Sequence, residues 1–144
     1  MRATDTPYDR PLRPSEFVMS FSSTRHGARL ARLLVAERMN AWGVSYDSED
    51  SSAVALLVAE LAANAVVHGH HRGWDFRLRV TRRQHVVRVE VTDTRADRRP
   101  APASPRPSDT SGRGLLIVSA IASRWGVAEC ARGKTVWCEY VLSH

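Results

Sequence analysis

The chain has 144 residues, enough for one domain with a true core, and its 43% hydrophobic and 25% charged content is that of an ordinary soluble globular protein. No apolar run approaches the roughly 20 residues of a membrane helix, the polar N-terminus lacks a signal-peptide core, and Cys130 and Cys138 form no CxxC motif; a cytoplasmic protein with no membrane contact is expected. The net charge of +6 rests on arginine, Lys134 being the only lysine among 21 basic residues, and the arginines are scattered with no aromatic residues between them, which favours a solvated or acidic-partner surface over nucleic acid.

Residues 1–15 are polar and carry Pro7, Pro11 and Pro14, the composition of a disordered arm; residues 16–144 read as one domain. Phe17 to Phe21 alternates as a first strand. Ser22, Ser23 and Thr24 offer N-caps for a helix from about Arg25 to Trp42, stopped by Gly43. Tyr46-Asp47-Ser48-Glu49-Asp50 suits the start of a second helix, where acidic side chains meet the positive end of the dipole. That helix reads AVALLVAELAANAVV from Ala53 to Val67 and ends near Gly69. Trp74 to Val80 and Val87 to Val91 alternate apolar with charged residues, the pattern of a sheet with one buried and one wet face; the turn between them carries Arg82, Arg83, Gln84 and His85.

From Thr94 to Ser111 the only apolar residue type is alanine, and Pro100, Pro102, Pro105 and Pro107 interrupt the stretch. A loop this long in a compact domain is typically a lid or binding loop. A third helix opens at Gly112-Arg113-Gly114 and runs to about Ala122. Trp125 to Cys130 and Thr135 to Leu142 form a closing hairpin around Gly133-Lys134.

Three constellations carry chemistry. From Ala53 to Val67 only Glu60 and Asn64 are polar, and their i, i+4 spacing puts both on one face, with His68 a turn further on. A helix apolar all round is a buried helix, and a buried amide or carboxylate needs a partner: a hydrated cation with a polar ligand, or polar groups across the core. Asp93 ends the strand Val89-Glu90-Val91-Thr92-Asp93, where a carboxylate can accept from an exocyclic amine or simply start a turn. Gly112 and Gly114 at a helix start allow close approach of a phosphate, or form a hinge. His68-Gly69-His70-His71 has no cysteine or carboxylate nearby at ligand spacing, so no zinc site is expected.

Singly these signals are common; their order is specific. ELAANAVVHG, TDTRAD, SGRGLLIV and GKTVW, spread between about Phe17 and Leu142, resemble the N-box, G1 box, G2 box and closing strand of the GHKL (Bergerat-fold) ATPase superfamily, in particular its small anti-sigma factor and serine/threonine kinase branch. The resemblance implies a two-layer α/β sandwich, with a mixed, mostly antiparallel sheet, three main helices on one face, and residues 94–111 as the ATP lid. It implies ATP and Mg²⁺ as cofactors. Asn64 would be the magnesium ligand and Glu60 the catalytic general base; Asp93 would bind the adenine amino group. Gly112 and Gly114 would line the phosphates, with Arg113, Leu115 and His68 as ligand neighbours, and Thr135 would touch the base side. The implied function is an anti-sigma-factor-type regulator that phosphorylates a small antagonist protein in a partner-switching pathway. Its partners would be a sigma factor, that antagonist and a second copy of the chain as a homodimer. The G1 box departs from the family's Asp-x-Gly-x-Gly: Arg95 and Asp97 stand where the two glycines are usual. That departure motivates an alternative, a partner-binding module without catalysis and with a degenerate nucleotide site.

Overall fold

The computed structural model describes residues 15–68, 75–93, 109–130 and 133–143. Among these, five strands and three helices follow one another as β1 (Ser15–Ser22), α1 (Arg25–Ala41), α2 (Glu49–His68), β2 (Asp75–Arg83), β3 (Val86–Asp93), α3 (Asp109–Ile121), β4 (Arg124–Cys130) and β5 (Gly133–Val141). The strands form one open sheet in the order β1-β2-β3-β5-β4. Every pairing among the described residues is antiparallel. Ser15 already opens β1, and the rest of the expected arm lies outside the described residues, as do residues 94–108 of the expected lid.

The helices begin where the sequence supplies caps. Thr24 caps α1, its hydroxyl accepting from the Gly27 amide at 2.9 Å, and Ser48 does the same for the Ser51 amide at 3.0 Å ahead of Glu49 and Asp50 in α2. The β1–α1 corner is tight: a Cβ on Gly27 would lie 2.0 Å from the Ser22 carbonyl oxygen, so only glycine fits there.

The period-two alternation of the strands becomes two different faces. Phe76, Leu78 and Val80 of β2, Val87, Val89 and Val91 of β3, and Val136 and Cys138 of β5 are buried on the side covered by helices. They meet Val35 and Met39 of α1 and Val54, Leu57, Val58 and Leu61 of α2 in a single core, where Phe21 and Phe76 stack with centroids 5.6 Å apart. α2 is the central helix, packed against α1, α3 and β3.

The other face carries the charges. Glu16, Arg79, Glu90, Arg88, Glu139 and Arg124 form a chain of ion pairs at 2.7–3.7 Å that crosses all the strands. Burial is the largest influence on the Arg88 pKa and lowers it, yet the hydrogen bonds that Arg88 donates to Glu90 and Glu139 hold the net value above that of an ordinary arginine. The Arg88 guanidinium stacks 4.2 Å above the Trp137 ring. The ring in turn lies flat on β4, where a Cβ on Gly126 would come within 2.8 Å of it.

The hairpin between β2 and β3 is tighter than its sequence suggests. Arg82 and Arg83 belong to β2, leaving Gln84 and His85 as a two-residue turn. Gln84 adopts φ 57°, and Arg82 holds the corner by donating to the Gln84 carbonyl at 3.0 Å and the Trp42 carbonyl at 2.6 Å. At the same end of the sheet, where the Leu142 amide donates to the His85 carbonyl at 2.7 Å, Asp50 in the first turn of α2 accepts from the Tyr140 hydroxyl (2.8 Å), the Ser143 amide (2.9 Å) and the Ser143 hydroxyl (2.9 Å).

Two outcomes follow for stability. Gly27→Ala forces a methyl group into the Ser22 carbonyl and is expected to cost about 3 kcal/mol in chemical denaturation. Burial, then the hydrogen bond to Asp50, pushes the Tyr140 phenol from 10.0 up to about 12, and burial pushes the Cys138 thiol from 9.0 up to about 12. Both groups lose their protons more readily in the unfolded chain. Stability is therefore intact below about pH 9 and falls as pH rises toward 12; Tyr140→Phe should show a shallower decline in urea midpoint across that window.

Candidate functional site

The C-terminal half of α2 holds the first two site residues as the i, i+4 spacing requires. Glu60 is half-buried and Asn64 is only 9% exposed. Among the described residues the Asn64 side-chain amide makes no hydrogen bond. An unsatisfied buried amide costs about 1–3 kcal/mol, so in an ordinary core it would be selected away or paired. The amide is thus one of the groups that could hold a polar ligand. His68 closes α2, with its side chain outside the described residues; His70 and His71 lie outside them too. No group of three or more His, Cys, Asp or Glu side chains among the described residues could hold a metal on its own.

α3 supplies the wall facing Glu60. It starts at Asp109 and not at Gly112, because Asp109-Thr110-Ser111 after the last proline are residues favoured in a first helical turn. The amides of the first four positions, Asp109 to Gly112, have no acceptor inside the helix, whereas that of Gly114 does. Gly112 and Gly114 therefore differ in what they can do: Gly112 retains a backbone donor for an anion, and Gly114 gives room. A Cβ on Gly114 would lie 3.1 Å from Glu60 Oε1, so the glycine brings α3 against the carboxylate. Arg113 follows Gly112 in this helix, its side chain outside the described residues. Leu115 is half-buried and packs on the edge of the core.

Asp93 is the last residue of β3 and is 8% exposed. It continues the phase of Val87, Val89 and Val91, so its carboxylate lies on the helix-covered face, at the end of a strand on which α2 packs. Thr135 does not join it. Thr135 pairs in register with Thr92, the two hydroxyls are 2.7 Å apart, and both stand on the charged face of the sheet. The residue opposite Asp93 on β5 is Lys134. Sequence reading placed Lys134 in a turn; its phase with buried Val136 and Cys138 was the available signal, hidden because Trp137 between them is also apolar.

A sequence profile of the histidine kinase-like ATPase domain matches residues 21–139. The chain belongs to that family. The histidine kinase-like ATPase fold is also found in a solved structure, the RsbU and RsbW domains of Rv1364c from Mycobacterium tuberculosis, at a TM-score of 0.64 and 22% identity; the match covers 90% of this chain and 33% of that one. No curated protein matches the chain significantly. Membership of an ATPase family implies ATP binding, and the GHKL-type α/β architecture is the one observed, helices on one face of an antiparallel sheet. No helix among the described residues is long and apolar enough to cross a membrane.

The contact between Gly114 and Glu60 can be measured. Alanine raises helix propensity over glycine by about 1 kcal/mol, but here its methyl group displaces the Glu60 carboxylate. Gly114→Ala is expected to be nearly neutral in the wild-type ATPase domain and to stabilise a Glu60→Ala background by about 1 kcal/mol, a difference read by a double-mutant cycle in urea.

Proposed function

We propose that this ATPase domain is an anti-sigma-factor-type regulator that binds Mg-ATP and phosphorylates a serine or threonine of a small antagonist protein, thereby controlling its hold on a sigma factor. The observation that carries the reading is the pairing of half-buried Glu60 with the unpartnered amide of Asn64 on one face of α2, closed over by glycine on α3. The likeness to a structure that contains an RsbW domain supports this choice of branch.

The residues fit a magnesium ion that keeps most of its coordination in water and phosphate oxygens, since such an ion needs only one or two protein oxygens. Asn64 Oδ1 is the oxygen that would hold it, and when bound the ion supplies charge neutralisation to the phosphates. Glu60 accepts the proton of the substrate hydroxyl as that oxygen bonds to the γ-phosphorus and the bond to the β-phosphate oxygen breaks, leaving ADP. The Gly112 amide offers a donor to the phosphate tail. Asp93, ionised, accepts from the adenine amine.

Purified protein incubated with labelled Mg-ATP and a candidate antagonist protein should transfer label to a hydroxyl residue. Glu60→Ala is expected to keep ATP affinity and lose transfer by about a hundredfold or more, while Asp93→Asn weakens ATP binding itself, read by calorimetry. Absence of transfer, with Glu60→Ala indistinguishable from wild type, would overturn the kinase reading. The non-catalytic partner-binding alternative, motivated by Arg95 and Asp97 in the G1 box, predicts that outcome.

A further inference from the structure

The register of β3 with β5 sets Lys134 directly across from Asp93, and that of β4 with β5 sets Glu129 beyond it. The row Asp93–Lys134–Glu129 lies on the helix-covered face, in phase with Val91, Val136 and Val127 one step earlier along the strands. Lys134 is half-buried there, neither a core residue nor a free surface charge. Directly opposed residues in an antiparallel pair have Cβ atoms about 4.5–5.5 Å apart, so a four-carbon stem brings the ammonium to whatever the Asp93 carboxylate binds. The nearest hydroxyl in sequence, Thr135, points to the other face and bonds to Thr92.

The two side chains are complementary in hydrogen bonding. An ionised carboxylate only accepts, and an ammonium only donates. The Watson–Crick edge of adenine presents an amine donor at N6 beside an acceptor at N1; guanine in the same pose presents an acceptor at position 6 beside an N–H donor. Asp93 can serve the first of the adenine groups and cannot serve the second. We propose that Lys134 donates a hydrogen bond to N1 of adenine and is the second base-reading residue of the site, so that the Asp93–Lys134 pair selects adenine and opposes guanine at both positions. This inference rests on the reading that Asp93 accepts from the adenine amine.

The test uses 1-deaza-ATP, in which a C–H replaces N1 and the amine is kept. With the full-length chain and magnesium, calorimetry should show ATP bound about tenfold or more tightly than 1-deaza-ATP, as expected for a hydrogen bond to a charged group. Lys134→Met, which keeps the length of the stem, should bind the two nucleotides equally and ATP itself about tenfold more weakly; Lys134→Arg should keep a preference. GTP should bind wild type far more weakly than ATP. If Lys134→Met discriminates between ATP and 1-deaza-ATP as wild type does, or if wild type does not discriminate, Lys134 serves only as a counter-ion to Asp93 and Glu129 and the proposal is overturned. That failure differs from failure of the site: wild type that binds no ATP overturns both readings, whereas ATP binding weakened by Asp93→Asn, with discrimination independent of Lys134, overturns this one alone.

Discussion

The structure depends on the burial of α2. This helix touches α1 and α3 on its flanks and β3 beneath it, and Val54, Leu57, Val58, Leu61 and Ala62 are fully or almost fully removed from water. Its solvent-facing stripe is narrow, Ser52, Leu56 and Ala63, and Glu60 and Asn64 do not lie among these exposed positions. Among the described residues the Asn64 amide has no hydrogen-bond partner, and Glu60 lies against Gly114 of α3. The Asp50 contacts with Tyr140 and Ser143 fix the other end of the same helix, so its polar end is presented from an anchored element.

The arrangement also separates two kinds of charge. Arginines that looked scattered along the chain are, at Arg79, Arg88 and Arg124, members of one ion-pair chain across the sheet surface away from the helices. Such exposed pairs each contribute at most about 1 kcal/mol, and their effect is to keep an uncovered sheet face hydrophilic. Trp137 lies within that face, covered by Arg88 on one side and by the glycine backbone of β4 on the other. The ionisable groups of the candidate site stand on the opposite face and do not take part in this chain.

Much of the fold was legible because its signals were periodic. Alternation in β2 and β3 and the apolar run of α2 identified both faces of the sheet and the central helix, and the capping residues located the helix starts to within a residue or two for α1 and α2. Glu60, Asn64 and Asp93 were legible as well, since a polar residue in an apolar stripe is conspicuous. What was not legible were features set by neighbours rather than by local pattern. The start of α3 depends on the weak preferences of Asp109, Thr110 and Ser111 following a proline-rich stretch, and a glycine pair drew attention away from them. The face of Thr135 depends on phase along β5, which Trp137 obscures by placing an apolar residue on the wet side. Lys134 was missed for the same reason: moving the strand start back by two residues changes a turn lysine into the partner of Asp93. The close approach of Gly114 to Glu60 is a tertiary contact between elements 54 residues apart in the chain, and no local rule encodes it.

The solitary lysine has a chemical consequence beyond its charge. Acyl transfer, reductive methylation and imine formation act on amines and leave guanidinium groups untouched. In this chain, apart from the terminal amine, those chemistries find one amine, and it stands opposite Asp93 in the sheet. Reagents or modifying enzymes directed at lysine would thus act beside Asp93, at the end of β3, and on little else.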